Sequence, residues 1–229
     1  MKIKRFVAAA VTAAMMVSAA VTSFAAEFTD ISGHWAEETI IDLADRGIVN
    51  GVSATEFNPD GTITRAEFLK MAMEVMKIET VSVRNGECLD AKVVDWYAPY
   101  LQSALDKGLI PDNMIAGFNL DVKRQEDGTI KAIYSGAFNG YIPIIREEMA
   151  VLAQYMYQYT RNANTMKSMK AGVELPFTDA DDISGWAHEA VKLAYAQGFI
   201  DGMSDGRFEP KTTLTRAQAA TIISRMITK

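Results

Sequence analysis

One segment of this chain occurs twice in register, and that repetition constrains the fold more than any compositional figure. The first copy, HWAEETIIDLADRGIVNGVSATEFNPDGTITRAEF, runs from His34 to Phe68. The second, GWAHEAVKLAYAQGFIDGMSDGRFEPKTTLTRAQA, runs from Gly185 to Ala219. Trp35 to Gly47 and Trp186 to Gly198 each span 12 positions, and Gly51 and Gly202 each follow four later. Phe57 to Thr64 and Phe208 to Thr215 each span seven. A divergent copy lies between them. Trp96 to Gly108 again spans 12, and Phe138 to Ile145 again spans seven. Gly108 and Phe138 are 30 positions apart where the first copy has 10, so the middle copy carries 20 extra residues.

Each copy reads as helix–loop–helix. Apolar or small residues fall on one helical stripe at Ala36, Ile40, Leu43, Ala44 and Gly47. Tyr97, Leu101, Ala104, Leu105 and Gly108 repeat it, as do Ala187, Val191, Ala194, Tyr195 and Gly198. The closing glycine suits a left-handed C-terminal cap. The second stripe reads Phe68, Met71, Ala72, Val75; then Met149, Leu152, Ala153, Met156; then Ala219, Ile222, Ile223, Met226. Such pairs cannot bury a stripe alone, so the three copies must pack together. Thr64 with Glu67, and Thr215 with Gln218, are capping boxes that start the second helix. The middle copy has Ile145 instead of Thr, and its cap must come from elsewhere.

The expected organisation is mainly α, with units at 28–78, 89–160 and 177–229 and an insertion at about 112–136. Within the insertion, Phe118, Leu120 and Val122 alternate with polar residues. Asp127-Gly128 then marks a turn, and Ile130, Ala132 and Tyr134 alternate again. That pattern predicts a β-hairpin, one the flanking repeat should close without.

The first 25 residues read as a secretory leader. Lys2, Lys4 and Arg5 precede the apolar stretch from Phe6 to Ala20, and Ser23-Phe24-Ala25 supplies the small-x-small cleavage site. Without residues 1–25 the balance is 20 Lys and Arg against 29 Asp and Glu, a net charge near −9. An exported acidic chain is a poor candidate for nucleic acid, because phosphate contacts need a basic face. Beyond the leader no membrane anchor is expected. Cys88, the single cysteine, excludes a disulfide framework and a thiolate metal cluster, and it falls in an expected linker, Thr80–Cys88.

The elements FTDISGHWA, GIVNG and FNPDGTITRAEF resemble the S-layer homology (SLH) family, and FTDADDISGWA, GFIDG and FEPKTTLTRAQA repeat the resemblance from Phe28 to Lys229. It implies three tandem repeats in a pseudo-threefold, mostly helical spindle. It also implies noncovalent attachment to secondary cell wall polysaccharide, pyruvylated forms included, in grooves between repeats. By position, the residues it implies are the arginines Arg65, Arg146 and Arg216 and the acids Asp30, Asp90 and Asp179. The tryptophans Trp35, Trp96 and Trp186 and the loop residues Gly51, Gly202, Met203 and Ser204 complete the set. Asp112 stands where the middle copy should have its second loop glycine.

An arginine in the first turn of a helix is disfavoured by the helix dipole unless an anion binds there. Free N–H groups and the guanidinium would then converge on it. Arg146, opening the interrupted copy, is expected to matter least. The tryptophans weigh the other way, since one per copy at the head of an apolar stripe suits the core better than a sugar platform.

No catalytic residue, cofactor or metal is expected. The carboxylates recur with the repeat rather than singling out a cleft. His34 aligns with Asp95 and Gly185 and so has no fixed chemistry, and His188 falls in a helix's first turn. Asp179–Gly185 and Asn58–Gly61 lack EF-hand spacing and its closing Glu. The alternative is a structural envelope component whose insertion docks another surface protein.

Overall fold

The computed structural model describes residues 28–83, 87–161 and 173–228. The expected leader lies outside them. Among the described residues six α-helices fall into three helix–loop–helix units: α1 (Glu37–Asp45) and α2 (Arg65–Val75), α3 (Ala98–Asp106) and α4 (Arg146–Thr160), α5 (Gly185–Ala196) and α6 (Arg216–Ile227). Each first helix packs on the second helix of a neighbouring unit, α1 on α6, α3 on α2 and α5 on α4. The expected stripes are buried, with Ile40, Leu101 and Val191 on the first helices and Phe68, Met149 and Ile223 on the second. Gly47, Gly108 and Gly198 close the first helices with φ of +69°, +65° and +73°, the left-handed conformation that glycine adopts without steric cost.

The units join through one another's loops. Ile63 donates its N–H to the Leu214 carbonyl (3.2 Å), Leu214 to Ile144 (3.1 Å), and Ile144 back to Ile63 (3.0 Å). All three side chains are buried. This closed ring of backbone hydrogen bonds gives the molecule its pseudo-threefold axis. No member can be removed without leaving a buried donor and acceptor unpaired.

Thr64 and Thr215 form the expected capping boxes with Glu67 and Gln218. In the middle unit only half remains, the Glu148 carboxylate accepting from the Ile145 N–H at 3.5 Å. The Thr212 and Pro210 carbonyls of the next unit accept from the Arg146 and Glu147 N–H groups, but equivalent carbonyls serve the other two helices as well. They do not replace the missing Thr, whose partner would be the Glu148 N–H.

The insertion is the predicted hairpin. β3 (Ala116–Arg124) pairs antiparallel with β4 (Ile130–Ala137), Leu120 opposite Tyr134 and Arg124 opposite Ile130. The expected boundary needs correction, because Met114 and Ile115 are buried in the core. A shorter hairpin, β1 (Glu87–Cys88) with β2 (Ala91–Lys92), had no sequence signal, and it buries Cys88 where a linker was expected.

Candidate functional site

The loop before each second helix is built the same way three times. Asp30 accepts from the N–H groups of Phe57 (2.9 Å) and Asn58 (2.6 Å). Asp90 does so from Phe138 and Asn139, and Asp179 from Phe208 and Glu209. The second residue of each pair has positive φ: Asn58 57°, Asn139 53° and Glu209 58°. A carboxylate with two N–H donors holds that left-handed turn in place. Burial alone would raise the Asp30 pKa; the Phe57 and Asn58 N–H groups and the Arg216 charge outweigh it and keep it below the ordinary value.

Each arginine crosses to the loop of the next unit. Arg216 Nε donates to the Phe57 carbonyl (2.8 Å), Nη2 donates to that of Asn50 (2.7 Å), and the guanidinium lies 4.7 Å from the Phe57 ring centre. Arg146 repeats this with Phe208 (2.6 Å), Asp201 (3.3 Å) and the Phe208 ring at 5.1 Å. Arg65 lies over Phe138 at 4.6 Å and donates Nη2 to the Met114 carbonyl, with Nε 3.6 Å from Glu148. Burial lowers the pKa of all three, against the raising effect of nearby carboxylates.

Two expectations change here. The N–H groups that open these helices do not wait for an anion, since carbonyls of the next unit already accept from them. Ile142 and Gly140 serve α2, Thr212 and Pro210 serve α4, and Gly61 and Pro59 serve α6. And Arg65, not Arg146, meets the interrupted loop, because each arginine acts on the following unit. Since Met114 takes the place of Asn50 and Asp201, the residue matching Gly51 and Gly202 is the buried Ile115, not Asp112.

The loop glycines are there for space. A Cβ on Gly51 would sit 2.5 Å from the Phe28 ring and from the Glu56 and Ser53 carbonyls. On Gly202 it would meet Phe177 at 3.0 Å and the Arg207 carbonyl at 3.1 Å. Met203 and Ser204 are exposed at the tip of that loop.

A groove of about 190 Å³ opens where Arg216 meets the first unit. Asn50, Gly51 and Val52 form one side, Glu67, Lys70 and Met71 of α2 the other, and Phe57 and Ile63 contribute to the lining. Arg216 Nη1 lies 3.6 Å from Glu67, and Lys70 reaches Glu74 at 3.0 Å. Lys70 escaped the sequence reading because the matching positions are Val151 and Thr221. Trp35 and Trp96 are 64% and 44% exposed, against the core position their spacing suggested, and Trp186 is half-buried in a different groove.

Helix–loop–helix units that lock through each other's loops define a small closed helical-repeat module. Residues 27–69 and 176–220 match the family model of the S-layer homology domain, and these two segments are S-layer homology domains. The chain is 34% identical over 202 residues to Exoglucanase XynX of Acetivibrio thermocellus, covering 88% of this chain and 16% of that protein. It is 26% identical over 228 residues to an S-layer protein of Bacillus thuringiensis subsp. finitimus, covering 97% of this chain and 24% of that one. With the S-layer protein sap of Bacillus anthracis it shares 27% over 228 residues, again 97% and 24%. The chain thus spans a quarter or less of these relatives. The domain and the S-layer relatives place the protein outside the cell, at the cell wall or S-layer. Among the described residues no helix is long and apolar enough to cross a membrane.

Proposed function

We propose that the chain is a non-catalytic anchor of three SLH units that binds secondary cell wall polysaccharide at the junctions between units. The ring through Ile63, Ile144 and Leu214 and the Asp90 clamp, equivalent to those of Asp30 and Asp179, support counting the middle copy as the third unit. The observation that carries the binding reading is the Arg216 groove. It brings two cations, Arg216 and Lys70, beside one carboxylate, Glu67, in a half-apolar cleft of an acidic chain. A carboxylate-bearing sugar such as a pyruvate ketal suits it, its acid meeting the cations and its ring the apolar wall.

The proposed roles divide accordingly. Arg216 and Gly51 line the first site, and Arg146, Gly202, Met203 and Ser204 the corresponding junction of the third unit. Arg65 serves the middle junction, where Met114 and Ile115 leave the least room. Asp30, Asp90 and Asp179 act by shaping the loops. Trp35 and Trp96 offer exposed rings to sugar outside the grooves, and Trp186 belongs to the separate groove. Sedimentation of the 26–229 chain with purified wall sacculi is the test. Binding lost when the attached polysaccharide is stripped supports the reading, and equal binding to stripped sacculi rejects it.

A second reading, docking of another surface protein on the hairpin, is favoured by Leu120, Val122 and Ile130. The pairing register puts them on one face, and all are exposed. On that reading, loss of the hairpin would abolish surface attachment that stripped sacculi still support.

A further inference from the structure

A larger groove, of about 410 Å³, lies where the second unit meets the third, away from Arg146. Tyr155, Gln158 and Tyr159 of α4, Trp186 and Glu189 of α5, and Lys107 after α3 supply its aromatic and polar lining. Tyr155 and Tyr159 stand nine and thirteen residues beyond Arg146, about 14–20 Å along the helix. The site is therefore distinct from the guanidinium junctions.

Its rings are not simply core. Tyr159 is 51% exposed, and Trp186 and Tyr155 are half-buried against the core. Trp186 recurs as Trp35 and Trp96, but the repeat does not require the tyrosines or Gln158. At the positions of Tyr155, Gln158 and Tyr159, the first unit has Glu74, Lys77 and Ile78, and the third has Arg225, Thr228 and Lys229. The two tyrosines belong to this junction alone, where α4 runs 15 residues against 11 in α2 and 12 in α6.

The chemistry selects the ligand class. Aromatic rings present flat apolar faces that match the C–H face of a pyranose. Gln158, Glu189 and Lys107 carry the donors and acceptors that hydroxyl groups need. The lining has one cation and one anion, so nothing favours a charged ligand, unlike the Arg216 groove with its surplus cation. We propose that this groove binds an uncharged sugar residue of a glycan chain, stacked on Trp186, Tyr155 and Tyr159. The assignment stands independently of the Arg216 reading.

The test is calorimetric titration of the 26–229 chain. The probe is the uncharged oligosaccharide fraction that passes an anion-exchange column after partial acid hydrolysis of the producing cell's wall. Saturable binding is expected. Tyr159→Ala should weaken it roughly three- to tenfold, whereas Tyr159→Phe, which keeps the ring, should retain most of it. Lys70→Gln, in the other groove, should leave it unchanged. If Tyr155→Ala disturbs folding, Tyr159→Ala and Gln158→Ala carry the test alone. Absence of saturable binding overturns the proposal, as does undiminished binding by folded Tyr159→Ala. A concentration-dependent dimer lost in Tyr159→Ala, with no glycan bound, would assign the groove to a second copy instead.

Discussion

Arg216 grips Phe57 twice, donating Nε to its backbone carbonyl at 2.8 Å while the guanidinium lies 4.7 Å from its ring centre. The same phenylalanine gives its N–H to Asp30 of its own unit. One residue thereby joins the clamp within a unit to the contact between units. Arg216→Ala should lower thermal stability as well as wall binding, since it strips the Phe57 and Asn50 carbonyls of a charged donor. A hydrogen bond of that kind is worth about 1.5–3 kcal/mol. Arg216→Lys should recover only part, because one ammonium cannot reproduce the two-pronged geometry over a ring. Melting followed by circular dichroism measures it, and an unchanged midpoint for Arg216→Ala would contradict the contact's structural role.

The ring through Ile63, Ile144 and Leu214 makes the fold depend on all three units. Leu214→Ala should cost about 2–5 kcal/mol, the range for a large-to-small change in a packed core. A chain ending at residue 161 should show no cooperative unfolding transition, because the Ile63 donor and the Ile144 acceptor lose their partner. A sharp calorimetric transition in that truncated chain would mean that two units suffice.

Space, rather than conformation, sets the demand at the loop glycines. Gly51→Ala forces three contacts of 2.5 Å, two of them with backbone carbonyls, and Gly202→Ala meets its neighbours at 3.0–3.1 Å. Overpacking of this kind costs about 1–3 kcal/mol. Gly51→Ala is expected nearer the upper end and Gly202→Ala nearer the lower, in denaturant unfolding of the two variants. The reverse order would show that the first loop relaxes more freely than its packing implies.

The hairpin divides into a dispensable half and a required base. Replacing residues 121–133 with Asn-Gly leaves Leu120 and Tyr134, already paired, joined by a two-residue turn. That protein should melt close to the parent. Deleting 114–133 removes Met114 and Ile115 from the core, and with them the carbonyl that Arg65 uses. It should lose its cooperative transition. Equal melting of both deletions would place the insertion's boundary back at residue 112.

Much of this architecture was legible in the chain because repetition exposes spacing. The stripes through Ile40 and Phe68, the left-handed glycines and the capping boxes at Thr64 and Thr215 all follow from local rules. What stayed hidden was relational. Arg146 looked tied to its own interrupted copy, yet it works on the third unit's loop, since a repeat marks equivalent positions without saying which neighbour each one meets. Ile115 could not be matched to Gly51 because the short turn at Asp112–Met114 shifts the register after Gly108. Lys70 was invisible for the opposite reason: it breaks the repeat, and a search for recurrence passes over the residue that makes one junction different.

That residue permits the most direct test of the binding account, because it separates charge in the groove from stability of the fold. The Lys70–Glu74 pair is a partly exposed i,i+4 contact, worth a few tenths of a kcal/mol. Lys70→Gln should therefore leave melting nearly unchanged while weakening binding to polysaccharide-bearing sacculi roughly tenfold, the loss of one charge-assisted contact. Lys70→Glu should weaken it further, and added salt should narrow the difference between parent and variants. Undiminished sacculus binding by a folded Lys70→Glu variant would contradict the assignment of this groove to an acidic wall sugar.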